Sequence, residues 1–251
     1  MESPRSTGPK SPDPGSRVGY LGWSRDPAVG LFVIAPLWLC YEVLRRVYVP
    51  GEMNLAEYHL HTTLSRLPPV MAHAMHIVVA LTVLVAAWSV LHRRIPWGRV
   101  GLVVLLEGTV YGLMLGPVTA ELTRHSLPAL ASGPADPRLV SNLIGALGAG
   151  IFEELVFRLA LLSAMCWLLF RASDQFGVSR WPGLVLAIGS SAAAFSLFHH
   201  VGPGAPPIET EVFVFRTVAG VLLGVLFVLR GIGVCVYTHA MYDVFFYLQQ
   251  R

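Results

Sequence analysis

The stretch Leu139–Phe170, LVSNLIGALGAGIFEELVFRLALLSAMCWLLF, is an apolar run that contains two adjacent acids and one base. A helix crossing a hydrocarbon core of about 30 Å needs roughly 20 mostly apolar residues. This run is longer than that, which predicts a helix that tilts, protrudes or is interrupted. Gly145, Gly148 and Gly150 mark its first half as a place for close helix packing. Glu154 and Arg158 stand four residues apart, so they share a helix face and can pair. Glu153 is turned about 100° away from Glu154 at 3.6 residues per turn. Two carboxylates and one arginine leave one acid without a local counter-charge.

Working outward, the same ruler finds six more apolar runs, over 29–48, 69–91, 100–120, 181–200, 212–230 and 231–248. The last two meet at Arg230, Gly231, Ile232 and Gly233, which predicts a tight hairpin. Of the 251 residues, 54% are hydrophobic and 13% charged, where a soluble domain carries about a quarter charged residues. That deficit excludes an ordinary cytosolic enzyme, a disordered regulator and a coiled coil. The net charge of +3 is too small and too scattered for a nucleic-acid surface. Cys40, Cys166 and Cys235 lie inside apolar runs without C-x-x-C spacing, so neither disulfides nor a thiolate zinc site is expected. With no internal repeat and no strand alternation, the expected fold is all-α, a polytopic transmembrane bundle of about seven to eight membrane helices.

Residues 1–28 are rich in Pro, Ser, Gly and Arg and have no long apolar core, so they read as a flexible basic tail rather than a signal peptide. The organisation expected is a cytoplasmic tail over 1–28 and one transmembrane domain over 29–251. With the amino terminus inside, Arg93, Arg94, Arg99, Arg171, Arg180 and Arg230 join the tail's basic residues in the cytoplasm. Arg45, Arg46, Arg66, Arg124, Arg138, Arg216 and Arg251 then fall outside, a modest positive-inside bias.

A charged side chain near the bilayer centre costs at least about 2.5–3.5 kcal/mol on insertion scales, so such groups face a protein interior or a watery cavity. Three clusters meet that description: Glu153-Glu154 with Arg158; Phe195 with His199 and His200; and His239 with Asp243, again four apart. Each alone has a structural reading, as an ion pair locking two helices, an interfacial histidine, or a satisfied helix–helix hydrogen bond. One shared polar cavity accounts for all three together.

The motifs E-E-x-x-x-R, F-x-x-x-H and H-x-x-x-N/D on successive membrane helices resemble the CAAX protease and bacteriocin-processing family. These intramembrane proteases include Ras-converting endopeptidases, bacterial Abi-type proteins and, among the candidates here, myxosortase-like members. The resemblance covers roughly Gly145 to Asp243, within an expected protease core of about 139–248. Many members read E-E-x-x-F-R-G; this chain keeps Phe157 and Arg158 and has Leu159 next.

The resemblance implies a catalytic set of Glu153, Glu154, Arg158, His199, His239 and Asp243. In it, Glu153 activates a water with help from His199. His239 and Asp243 serve the oxyanion, and Glu154 with Arg158 support the catalytic glutamate. An ionised aspartate accepts hydrogen bonds and donates none, so Asp243 is expected to orient His239. No cofactor is expected. Zinc is the alternative, since Glu153, His199 and His239 are chemically sufficient ligands, although H-E-x-x-H is absent. The function implied is an intramembrane endopeptidase acting on membrane-anchored or carboxyl-terminally processed proteins. Its partners are then a membrane protein or lipid-linked peptide substrate and the lipid bilayer, with no nucleic acid. The expected location is a cell membrane, as a multi-pass protein of the bacterial inner-membrane kind. A transporter or scaffold using the same Glu/His cluster is the rival.

Cys235, His239 and Asp243 at i, i+4 and i+8 permit a thiol nucleophile, but a cysteine in a membrane helix is usually small apolar filler. Glu42 is expected to pair with Arg45 or Arg46, and Glu107 has no cation near it in sequence. His59, His61, His73 and His76 read as solvated loop histidines rather than a metal cluster. The Pro/Gly-rich segment Val201 to Glu211 is a connector or the rim of a cavity.

Overall fold

The computed structural model describes residues 19–124, 138–202 and 205–249. Residues 1–18 of the expected tail, Pro203 and Gly204 of the connector, the side chain of His76, and Arg251 lie outside the described residues. Among the described residues ten α-helices follow in order: α1 Tyr20–Arg25, α2 Pro27–Tyr48, α3 Leu55–Ser65, α4 Pro69–His92, α5 Trp97–Thr123, α6 Leu139–Glu154, α7 Ser163–Gln175, α8 Trp181–Phe198, α9 Thr210–Arg230 and α10 Ile232–Gln249. Among the described residues there is no strand. The protein is an all-α membrane bundle, as the apolar runs imply.

Among the described residues five helical stretches are long and apolar enough to cross a membrane: α2, α5, the continuous Leu139–Gln175, α8 and α9. The other two expected runs are helical too. In α4 the apolar part is Ile77–His92, and most of its large side chains face outward, with Ala86 and Val90 buried. α10 is the reverse. Every residue from Ile232 to Ala240 is buried, because α2, α5, α6 and α9 all pack around it. Helix α3 matches none of the seven runs; it lies against α6.

Local sequence fixes the joints that set this arrangement. Asp26 caps α2 by accepting the N–H groups of Ala28 at 2.9 Å and Val29 at 3.3 Å, with Pro27 at the first helical position. The break between α9 and α10 is a single residue, Gly231, at φ +84°. A Cβ there would lie 2.3 Å from the Ser24 carbonyl oxygen, so both the backbone and the packing on α1 call for glycine. On α6, a Cβ at Gly150 would sit 2.6 Å from the Ala240 backbone nitrogen, which lets α6 and α10 approach backbone to backbone. Of the other two glycines singled out in sequence, Gly148 packs on Tyr41 and Asn54, whereas Gly145 has open space beside it.

The long Leu139–Gln175 helix is interrupted, as its length suggested. Leu155–Leu162 is π-helical, a geometry that is rare and concentrated at functional sites. Carbonyls displaced from the regular ladder have no water to turn to inside a bilayer. Here Ser163 Oγ donates to the Arg158 carbonyl at 3.3 Å and Ser191 Oγ, from α8, to the Phe157 carbonyl at 2.8 Å.

Candidate active site

The π segment begins directly after Glu153-Glu154 and carries Arg158, so the charged residues of the long helix sit where its winding changes. Glu154 and Arg158 are almost wholly buried. Arg158 Nη1 lies 2.7 Å from Glu154 Oε1. Its Nη2 donates to the Gly220 carbonyl at 3.3 Å, and the guanidinium stands 4.4 Å from the centroid of the Phe195 ring. Arg158 therefore ties α6, α8 and α9 together at one point, with each contact satisfying part of its charge.

Glu154 also reaches α10. Its Oε1 accepts from His239 Nδ1 at 2.7 Å, and its Oε2 from the Cys235 thiol at 2.9 Å. A carboxylate oxygen fixes the proton of His239 on Nδ1 and turns Nε2 toward the cavity. The spacing in sequence had given this orienting task to Asp243. In the structure Asp243 Oδ2 instead stands 3.6 Å from His239 Nε2, beyond hydrogen-bond distance, and the residue that holds the ring is Glu154. Cys235 is committed as a donor to Glu154 and to the Leu223 carbonyl at 3.3 Å. Its thiol is buried and does not line the cavity, which removes the geometric basis for a thiol nucleophile.

Glu153 faces the other way from Glu154. Its Oε2 is 3.6 Å from His199 Nε2 and 3.9 Å from His239 Nε2, and that oxygen is buried without a hydrogen-bond partner. His199 Nδ1 meets the Phe195 carbonyl at 2.9 Å. A carbonyl only accepts, so that nitrogen donates, and in the neutral ring Nε2 presents its lone pair toward Glu153. His200 turns away, its Nδ1 lying 3.1 Å from the Pro206 carbonyl of the connector. Thus one histidine of the pair faces the cavity, and the other anchors the segment that follows.

The cavity holds about 400 Å³ and is lined by Glu153, His199, His239 and Asp243. The structure thus brings together all six residues of the sequence-based set: four line the cavity, while Glu154 and Arg158 lie behind it. Asn54 and Arg216 also line the cavity, and neither belongs to the sequence-based set. Asn54 caps α3, its Oδ1 accepting the Ala56 N–H at 2.9 Å, and its side chain interacts with Glu153. Arg216 enters from α9. The signal for Arg216 in the sequence is its place as a lone arginine inside the run 212–230. A second cavity of about 330 Å³ is lined by Gly112, Pro117 and Gln249, and shares Phe215, Tyr242 and Phe246 with the first.

Other sequence candidates resolve as structural. Glu42 pairs with both Arg45 and Arg46, at 3.3 Å and 2.9 Å. Glu107 is held by Arg230 from α9, with contacts of 2.6 Å and 2.7 Å. His59 and His61 belong to α3 rather than to a loop, and His59 Nε2 is 3.3 Å from the Val201 carbonyl. As for zinc, among the described residues no group of three or more His, Cys, Asp and Glu is arranged to hold a metal ion.

Residues 135–245 match the family model described as Rce1-like, type II CAAX prenyl endopeptidase Rce1-like. The matched segment contains Glu153, Glu154, Arg158, His199, His239 and Asp243. Neither the curated proteins nor the solved structures gave a match.

Proposed function

We propose that this chain, whose residues 135–245 match the Rce1-like CAAX prenyl endopeptidase family model, cleaves membrane-anchored substrates with a glutamate-activated water. One observation carries the mechanism. Glu153 Oε2 and His199 Nε2, on different helices, face each other at 3.6 Å, too far for a direct hydrogen bond. With Nδ1 of His199 committed to the Phe195 carbonyl, both facing atoms accept, and a water donating to both satisfies them. Glu153 takes one proton from that water as its oxygen bonds to the scissile carbonyl carbon. The carbonyl oxygen becomes an oxyanion, which accepts from His239 Nε2 in the protonated ring. The C–N bond then breaks, and Glu153 returns its proton to the leaving amine. Positioned acid–base groups of this kind typically contribute about 10²–10⁴-fold, and one oxyanion donor about 2.7–4 kcal/mol.

Glu154 and Arg158 set this geometry without touching substrate: Arg158 holds Glu154, and Glu154 holds His239. The second cavity, which shares three aromatic residues with the first, gives the apolar part of a lipid-linked substrate a place beside the catalytic groups.

The direct test compares the membrane proteomes of cells carrying wild-type protein or Glu153→Gln, with new protein termini mapped. Termini produced only by the wild type, with both proteins equally expressed, are the expected result; identical termini overturn the proposal. Purified activity is expected to persist in the presence of a metal chelator. Loss on chelation with recovery on added zinc would replace the metal-free mechanism.

A further inference from the structure

Arg216 lines the cavity, and the mechanism above does not use it. It projects from α9, an apolar helix, into the space that Glu153, His199, His239 and Asp243 line. Its Nη1 is buried and has no hydrogen-bond partner. The buried or half-buried arginines Arg45, Arg158 and Arg230 are treated differently. Arg45, Arg158 and Arg230 each have a carboxylate within 4 Å. Arg216 feels Glu153 and Asp243 without an ion pair at that distance to either. A guanidinium left like this inside a membrane bundle carries a standing desolvation cost, which a ligand of opposite charge offsets on arrival. The planar fork of arginine matches one ligand chemistry especially well, a carboxylate held through two parallel N–H donors.

We infer that Arg216 binds a carboxylate of the substrate and so selects peptides that present one at a fixed distance from the scissile bond. The inference rests on the proteolytic reading above and names the chemistry that reading leaves open. A carboxylate can come from the substrate's own carboxyl terminus or from an Asp or Glu side chain. A cavity of about 400 Å³ is at the small end of ligand sites and suits a short peptide end.

The test uses one peptide, an S-farnesyl cysteine followed by three residues, presented to the full-length protein in detergent micelles. It is prepared as the free acid, as the carboxyl-terminal amide, and as the amide with glutamate in the last position. Wild-type protein is expected to cleave the free acid about 10- to 100-fold better in kcat/KM than the plain amide, the range for hydrogen bonds to a charged group. Recovery of the rate by the glutamate-bearing amide assigns the carboxylate to a side chain; failure to recover assigns it to the terminus. In Arg216→Gln the acid-to-amide ratio is expected to fall to near one, and in Arg216→Lys to an intermediate value. The ratio is measured on one preparation, so any loss of folded protein cancels. Glu153-dependent cleavage with equal rates on all three peptides, or differences between them that persist unchanged in Arg216→Gln, overturns the role of Arg216 and leaves proteolysis standing. Absence of Glu153-dependent cleavage of all three peptides removes both.

Discussion

Glu107 on α5 and Glu154 on α6 are both acids inside apolar helices, and both are held by an arginine. What surrounds each pair differs. Arg230 brackets Glu107, with Nη1 2.6 Å from Oε1 and Nη2 2.7 Å from Oε2, and the Tyr20 hydroxyl donates to Oε2 at 2.5 Å. Neither Glu107 nor Arg230 lines a cavity described above. Glu154 is as well satisfied, by Arg158, His239 and Cys235. Beside it, however, stand Glu153 Oε2 and Arg216 Nη1, buried without a hydrogen-bond partner on residues that face one cavity; Glu107 Oε1 and Arg230 Nε also lack a hydrogen bond, but there Arg230 Nη1 stands 2.6 Å from Oε1 and neither residue lines a described cavity. An intramembrane charge is therefore a poor marker of chemistry by itself. Charges left over after structural pairing, and aimed into shared space, mark it better.

Removing the arginine from each pair should break the symmetry between them. Arg158→Ala leaves Glu154 buried with its cation gone, and losing one partner of a buried pair costs about 3–5 kcal/mol. It also loosens the carboxylate that fixes His239. We expect both a large drop in thermal stability and loss of cleavage that persists below the lowered melting temperature. If cleavage at low temperature matches the wild type, Glu154 and Arg158 do not position His239. Glu107→Gln should behave differently. The neutral amide can still accept from Tyr20 and Arg230, so the expected cost is about 1–3 kcal/mol, with cleavage retained at temperatures where the protein is folded. Loss of cleavage by folded Glu107→Gln would join the two regions functionally and dissolve the distinction.

How far each pair was legible in the sequence follows from its spacing. Glu154 and Arg158 are four residues apart on one helix, so periodicity alone exposed the pair. Glu107 and Arg230 are separated by 123 positions, and nothing local ties them. The same limit misassigned the orientation of His239: Asp243 is its i+4 neighbour, whereas Glu154, 85 positions away, supplies the hydrogen bond. Helix α3 escaped because its residues, LAEYHLHTTLS, form neither a long apolar run nor a clean apolar stripe; its contribution, Asn54, is visible only once α3 rests on α6. The π segment, LVFRLALL, contains no glycine or proline to announce it. The apolar runs, by contrast, needed only length and composition, which is why the helical bundle was readable and its internal register was not.

The comparison extends to a third pair at the margin of the bundle, where the effect should be smallest. Asp26 caps α2 and meets Arg93 at 2.6 Å, with the arginine side chain 42% exposed. The hydrogen bond from Arg93 holds the Asp26 carboxyl below its ordinary value, against the opposing effect of partial burial, and the Val29 and Ala28 N–H groups add to the lowering. A carboxylate with a depressed folded-state pKa contributes stability that is fully present above its unfolded-state pKa, about 3.9. That contribution is lost as pH falls through the folded-state value. Asp26→Asn is therefore expected to lower the melting temperature slightly at pH 7, with the gap to wild type closing as the pH is taken below 4. Asparagine also caps helices well, so what the gap reports is the charge. A gap independent of pH would assign the role of Asp26 to capping alone. A gap as large as that of Arg158→Ala would mean that solvent exposure does not separate these pairs.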